Sequence, residues 1–268
     1  MEKKEYSSAE VDHSSPKDEF QELLQTLEHQ TNWDGQRLVK YDGIWLLELL
    51  FRPILSAQKY FKAKDTDVIL STMPKSGTTW LKALTFSIAN RSVFPIDRSP
   101  LLTSNPHKRQ FLLENKIAKD AVPLELDEAF DMFCRGITSY GPFWEHMLGY
   151  WNAHLKNPER VLFLKYEDLK GDILSNVKKI AEFMGFPFSA EEEKQGVVEQ
   201  ISRLCSFENL KNLEVNKSGN VLGLMKNSSF FRKGEVGDWV NYLSPEMAER
   251  VKNIMESKFQ GSGLIFNI

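Results

Sequence analysis

Val68-Ile69-Leu70-Ser71-Thr72-Met73-Pro74-Lys75-Ser76-Gly77-Thr78-Thr79-Trp80, running on into Leu81-Lys82-Ala83-Leu84, is the stretch on which the reading of this chain turns. A short β-branched and apolar run (Val68 to Leu70) meets a turn signal at Pro74. Small and hydroxyl residues follow, then Trp80, Leu81, Leu84 and Ile88 at the spacing of one buried helical face. The order predicts strand, loop, helix. Such a junction leaves the first backbone N–H groups of the helix without intrahelical acceptors, at the end where the helix dipole favours negative charge. Lys75 adds a mobile cation, Gly77 lets the backbone approach a ligand, and Ser76, Thr78 and Thr79 offer hydroxyls. The stretch reads as a phosphate or sulfate cradle. A merely solvated loop is the plainer alternative, and the strand-loop-helix context speaks against it.

Residue order separates this cradle from the commonest one. A Walker A loop, G-x-x-x-x-G-K-[ST], places lysine after its second glycine, whereas Lys75 precedes the only glycine here and no such motif occurs in the chain. P-K-S-G-T-T-W after a strand resembles the 5′-phosphosulfate loop of the cytosolic sulfotransferases, which take a sulfuryl group from 3′-phosphoadenosine 5′-phosphosulfate (PAPS). The resemblance implies that Lys75, Ser76, Gly77, Thr78, Thr79 and Trp80 bind PAPS. It also implies that Lys75 acts catalytically, without a metal.

A chain of 268 residues, 41% apolar and 26% charged, can bury one core as an ordinary globule. Its net charge of −3 gives no reason to expect nucleic acid as a partner. The N-terminus carries charges of both signs without an apolar h-region, and no apolar run has membrane-spanning length. The expectation is a cytoplasmic protein. Cys134 and Cys205 lack metal-ligand spacing and read as reduced, buried thiols, with one disulfide left open. Residues 1–15 read as a disordered tail and 16–268 as a single domain, its first helix starting at Pro16 behind Ser15. Trp33-Asp34-Gly35 reads as a turn and Leu38 to Trp45 as a short strand or loop. Leu46 to Tyr60 reads as a helix broken near Pro53, its aromatic residues either packing in the core or lining an acceptor pocket.

Leu101-Leu102-Thr103-Ser104-Asn105-Pro106-His107 resembles the plant branch of the family, and there the resemblance breaks. The family continues with a strand ending in T-H-L-P, a helix, and a second strand with a C-R-N-P-x-D-type turn leading to V-S. Here a short, charged, helix-like piece, Lys108 to Val122, takes their place. The family pattern resumes near Phe130 to Gly136. The missing histidine is the family's base, which takes the acceptor's proton; the missing arginine and serine bind the 3′-phosphate. The absent strand-helix-strand unit is central in the family's parallel sheet. His107 lies just ahead of the break and is the best placed substitute base, the default being an exposed loop histidine. His146 and His154 fall in a packing helix from Pro142 to Leu155, and no histidine pair has metal spacing.

Beyond the break, Arg160 to Leu164 reads as a buried strand leading to Tyr166-Glu167-Asp168, with a helix from about Asp172 to Met184. By resemblance Tyr166 approaches the adenine end of PAPS. Cys205-Ser206-Phe207 matches the family's short adenine-contacting segment less specifically. Phe230-Phe231-Arg232-Lys233-Gly234-Glu235-Val236-Gly237-Asp238-Trp239 is the second strong signal, two cations beside a glycine in a turn suited to phosphate. It resembles the family's R-K-G-x-x-G-D-W at every fixed position, which implies that Arg232, Lys233 and Gly234 hold the 3′-phosphate.

Taken together the sequence predicts an α/β, P-loop-like sulfotransferase fold, a parallel sheet flanked by helices that lacks one strand-helix-strand unit. The activity implied is sulfuryl transfer from PAPS to the hydroxyl of a small metabolite, a flavonoid, steroid or similar. A non-catalytic PAPS-binding or scaffold protein is the alternative. The family's dimer motif, K-x-x-x-T-V-x-x-x-E, is not evident, so oligomeric state stays open.

Overall fold

The computed structural model describes residues 19–107, 124–221 and 225–266. Helix α1 (Glu19–Thr26) precedes a three-stranded antiparallel sheet of β1 (Glu28–Thr31), β2 (Arg37–Tyr41) and β3 (Ile44–Leu47), in that order. Strands β2 and β3 form a hairpin, because Asp42 and Gly43 both take positive φ, at 51° and 80°, as a two-residue turn with the strands' twist requires. Leu38, Val39 and Trp45 to Leu47 bury against α2 (Glu48–Tyr60), which contributes Leu50 and Phe51.

The main core lies between α3 (Thr78–Asn90), α7 (Ile173–Phe183) and α9 (Val197–Leu204). Ala83, Leu84, Ile88, Val177, Ala181 and Ile201 are wholly removed from solvent there. Each large aliphatic among them is worth roughly 1.5–3 kcal/mol of burial, so this core fixes the direction of α3 and of whatever its first turn holds. The far end of α3 is tied down as well. Arg91 Nε lies 2.7 Å from Glu192 Oε1, and Glu192 closes a capping box with Ser189 at the start of α8 (Ala190–Lys194). A third core joins α5 (Phe143–Lys156) to α12 (Pro245–Phe259) through Phe143, Trp144, Phe259 and Leu264. Between these run α4 (Leu126–Cys134), α6 (Tyr166–Gly171), α10 (Phe207–Asn212), α11 (Glu214–Lys217) and the short ribbon β4 (Asn220–Val221) and β5 (Met225–Lys226).

Several expectations need correction. Among the described residues every strand pair is antiparallel, so the parallel ladder is not formed there. Val68 to Leu70 and 161–165 carry no strand assignment, and no backbone hydrogen bond joins 68–72 to another segment among the described residues. A run of β-branched residues supplies a strand's propensity but not its neighbour, and without one Val68 and Ile69 stand 48% and 63% exposed. The two stretches still run side by side, with Arg160 reaching Asp65 at one end and Tyr166 packing on Gly77 at the other. Proline 53 sits inside α2 without breaking it; the bond it removes would reach the carbonyl of Leu49, an exposed residue. Leu38 to Trp45 is two strands rather than one. Cys134 and Cys205 are both free and buried. The tail 1–15, the helix start at Pro16 and the piece from Lys108 to Val122 lie outside the described residues.

Candidate functional site

The site begins where α3 begins. Gly77 is the N-cap, with φ 102°, and Lys75 also takes positive φ, 68°, so the loop doubles back tightly ahead of the helix. No side chain caps α3; its first internal bond runs from Leu81 N–H to the Gly77 carbonyl. The N–H groups of Thr78, Thr79 and Trp80 are therefore donors without intrahelical acceptors. The loop is braced from within: Ser76 Oγ donates to the Met73 carbonyl at 2.7 Å, and the hydroxyls of Thr72 and Thr78 lie 2.5 Å apart. A Cβ on Gly77 would stand 3.0 Å from Tyr166 Cδ2, so the turn is pressed against that ring. Tyr166 also meets Trp80 edge to face at 5.6 Å. Trp80 Nε1 is buried without a hydrogen-bond partner, an orphaned donor beside the cradle.

The second basic turn meets the first. Lys75 Nζ donates to the carbonyl of Ser229 at 2.9 Å, so the cradle lysine already spans to the segment leading into Phe230, Phe231 and Arg232. Gly234, with φ 69°, sits so close to Phe207 that a Cβ there would come within 2.5 Å of its ring. The Arg232-Lys233-Gly234 turn is thus seated on Cys205-Ser206-Phe207, as the Lys75 turn is seated on Tyr166. Both its cations point at one carboxylate: Lys233 Nζ lies 2.6 Å from Asp238 Oδ1, and Arg232 Nη1 bonds Asp238 Oδ2. Asn241 adds a third donor at 3.0 Å. The Lys233 ammonium, with Asn241 and Arg232, holds the Asp238 carboxyl down to about 2.

Histidine 107 is not the exposed loop residue that is the default. Its ring stacks on Phe230 at 4.2 Å, Nε2 lies 2.8 Å from Thr79 Oγ1, and Nδ1 lies 3.1 Å from Lys82 Nζ. Burial, then the charges of Lys82 and Lys75, push it down to about 4, so it is neutral near pH 7. The ring joins the two basic turns through Thr79 and Phe230. His146 is lowered by burial, and His154 Nδ1 is engaged with the Val161 carbonyl at 2.6 Å.

The structure thus brings together Lys75, Ser76, Gly77, Thr78, Thr79, Trp80 and Tyr166 at one turn, and Arg232, Lys233 and Gly234 at the adjoining one. Sequence reasoning missed Lys82, Asp238 and the Ser229 carbonyl. Lys82 stands three residues after Thr79, one turn along the same helical face, and Asp238 is a fixed position of the second motif; those were the available signals. Of the aromatic residues between Leu46 and Tyr60, Tyr60 is 69% exposed, while Phe51 is core. Among the described residues no group of His, Cys, Asp and Glu could hold a metal ion, and no helix is long and apolar enough to cross a membrane.

Known proteins resemble this chain in sequence and fold. A family model described as the sulfotransferase domain matches residues 65–126 and 109–263, two pieces that overlap over the stretch where the sequence pattern breaks. Cytosolic sulfotransferase 15 of Arabidopsis thaliana is 43% identical over 314 residues, covering 93% of this chain and 88% of its own. Flavonol 4′-sulfotransferase of Flaveria chlorifolia is 42% identical over 287 residues, covering 85% and 90%. Both matched lengths exceed the 268 residues of this chain, so each match spans positions that the relative has and this chain lacks. A crystal structure from Arabidopsis thaliana described as that of a steroid sulphotransferase superposes with a TM-score of 0.67 at 30% identity, covering 92% of this chain and 94% of that one. Mouse sulfotransferase SULT7A1 complexed with PAP, at 22% identity, shares the fold with a TM-score of 0.60 over 84% of this chain and 95% of its own.

Proposed function

Because this chain belongs to the sulfotransferase family, we propose that its two basic turns hold one PAPS molecule between them, the 5′-phosphosulfate at the start of α3 and the 3′-phosphate at Arg232, Lys233 and Gly234. The observation that carries this reading is the 2.9 Å bond from Lys75 Nζ to the Ser229 carbonyl, which puts both turns within reach of a single nucleotide. The residues present fit the group. The α3 amides and Lys75 supply donors for one anionic end, and the orphaned Trp80 Nε1 sits beside Tyr166, where an adenine would lie. Bound there, PAPS supplies a sulfuryl group on a phosphate leaving group. Lys75 and the amides of Thr78 to Trp80 would stabilise negative charge on the oxygens they touch, with no reorganisation needed at the helix start. The acceptor is the hydroxyl of a small metabolite, in line with relatives named for flavonols and steroids, and the setting is cytoplasmic, in line with a relative named a cytosolic sulfotransferase.

The proton on the acceptor hydroxyl is the weak point. Among the described residues the one histidine beside the cradle, His107, has both ring nitrogens engaged and is pushed down to about 4, which makes it a poor base. The two-piece family match and the overlong alignments support the reading that a block carrying the family base is absent. We therefore expect measurable nucleotide affinity and turnover far below the usual range of roughly 1 to 10³ per second. This same observation favours the second reading, a PAPS-binding protein that does not catalyse. Calorimetry with PAP, the desulfated nucleotide, tests the site; labelled-PAPS turnover, with Lys75→Ala as control, separates enzyme from binder. Ordinary turnover would refute the missing-base argument, and no binding of PAP would refute the site.

A further inference from the structure

The contacts of His107 assign it a task other than proton transfer. Its backbone N–H donates to Asn105 Oδ1 at 2.8 Å, and Asn105 Nδ2 donates to Asn216 Oδ1 at 2.8 Å. Asn216 Nδ2 in turn donates to the Leu210 carbonyl at 2.8 Å, and both asparagines are buried. The backbone that carries the imidazole is thereby fixed to the α10–α11 corner, and Phe230 fixes the ring plane by stacking at 19°. The donor count then decides the tautomer. An ammonium has only hydrogens to give, so at the Lys82 contact Nδ1 must accept. A neutral imidazole accepting at Nδ1 carries its hydrogen on Nε2, which donates to Thr79 Oγ1. Thr79 accepts there and keeps its own hydroxyl hydrogen, two residues into α3 and next to the orphan amides.

We propose that His107 is a positioning residue of the cradle: locked as the Nε2–H tautomer by Lys82, it commits the Thr79 hydroxyl to donate toward a phosphate or sulfate oxygen bound at the start of α3. The chain of three bonds, Lys82 to His107 to Thr79 to anion, polarises in one direction, each donor strengthening the next. A protonated imidazole would set two cations against each other at Nδ1, and the low proton affinity of this ring keeps it out of that state near neutral pH. The inference rests on the reading of the cradle as an anion site, and its effect is on binding rather than on the acceptor's proton.

The test has an arm that needs no ligand. Histidine ¹⁵N NMR of the full chain at neutral pH is expected to show His107 protonated at Nε2 and bare at Nδ1; the opposite tautomer, or an imidazolium, overturns the proposal. Calorimetry with PAP then compares wild type, His107→Gln and His107→Leu, each checked for a cooperative melt. Glutamine can donate to Thr79 through its amide nitrogen and accept from Lys82 through its oxygen, so it should bind within about 2-fold of wild type, whereas leucine should lose about 5- to 10-fold. In a Thr79→Val background His107→Leu should add less than about 2-fold, because the hydroxyl it acts through is gone. Equal losses for Gln and Leu, or an undiminished Leu effect in that background, overturn the proposal. Binding indifferent to His107 overturns this inference alone; no PAP binding by the wild-type chain overturns the anion-site reading and this one with it.

Discussion

The Lys75 turn and the Arg232-Lys233 turn both carry cations and positive-φ glycines, both press a glycine against an aromatic ring, and they differ in where their charge goes. At the first, Lys75 gives a hydrogen bond to a neutral carbonyl, Ser229, the α3 amides add partial positive charge, and among the described residues no carboxylate is paired with Lys75. At the second, Asp238 takes both cations, so an incoming phosphate must displace a carboxylate already in place. On the proposed reading, the contrast teaches that two turns of similar composition hold one nucleotide by different routes. One would be a standing site, because its donors are backbone groups set by a helix in the core; the other would be held closed by its own counter-ion. Affinity should then depend steeply on the first turn and shallowly on the side-chain charges of the second.

The largest effect should come from geometry rather than charge. In Gly234→Ala the new Cβ would lie 2.5 Å from Phe207 at a φ of 69°, so ring or turn must move. Overpacking and the left-handed backbone together predict a loss of about 2–4 kcal/mol of stability, seen as a lowered melting temperature, with PAP binding weakened as the turn lifts. Gly237→Ala is the matched control, with φ 77° and nothing within 4 Å of its Cβ, and should lose only about 1 kcal/mol. Equal melts for the two would show that the second turn is not seated on Phe207. Next comes charge. Lys75→Ala should weaken PAP binding by about 1.5–3 kcal/mol, roughly 10- to 150-fold, as for a charge-assisted bond to the ligand. Lys233→Ala should weaken it by only a few-fold, since binding must first undo its pairing with Asp238. Calorimetry on the pair reads the contrast directly, and it disappears if the two losses are alike.

What the sequence displayed and what it hid follow from the range of the interactions involved. Helix starts are legible in principle because capping is local: Ser189 with Glu192 and Ser244 ahead of Pro245 lie within four residues of what they cap, and the structure has both caps. The buried face of α3 was legible from the spacing of Leu84 and Ile88. The cores of α7 and α9 follow the same periodicity. The sheet was not legible in this way, since Val68 to Leu70 and Arg160 to Leu164 have strand composition while a ladder depends on what the rest of the chain brings alongside. The hairpin of β2 and β3 was signalled by Asp42-Gly43, a two-residue turn pair that reading Leu38 to Trp45 as one strand or loop passed over. At the site, the residues proposed to bind the anion stood out as motifs. The supports Asn105, Asn216 and Lys82 did not, because they work through partners 25 to 111 positions away, whereas Asp238 stood in the motif, 5 and 6 positions from its cations.

A smaller effect should appear in the pH dependence of stability, and it sharpens the comparison from the side of the cradle. His107 is pushed from 6.5 down to about 4 in the folded chain, so between those values the unfolded chain binds the proton first. Its contribution is present in full above about 6.5 and is lost as pH falls toward 4. Since the ring keeps part of its surface in water, about 1 kcal/mol is the scale to expect after discounting for screening. Melts of wild type and His107→Gln at pH 7 and pH 4.5 should converge at the lower value. His146, which burial lowers in the same sense, and Glu192, which Arg91 lowers from 4.5 to about 2, contribute to the slope that both proteins share.

The smallest effect should lie at the second turn. The Asp238 carboxyl is lowered from 3.8 to about 2, first by Lys233, so the folded chain holds its proton more weakly than the unfolded one. The stabilisation is therefore intact above about 3.8 and disappears as pH falls through 2. Both cations that produce it keep one face in water, at 60% for Arg232 and 40% for Lys233, so salt and solvent screen the pairing and the step should be shallow. Following Trp239 fluorescence between pH 4 and pH 2, the wild-type chain should show a small added transition that Asp238→Asn lacks and that fades in high salt. Persistence of that transition in Asp238→Asn would mean that the second turn is not held closed by this carboxylate, and the two turns would then bind an anion in the same way.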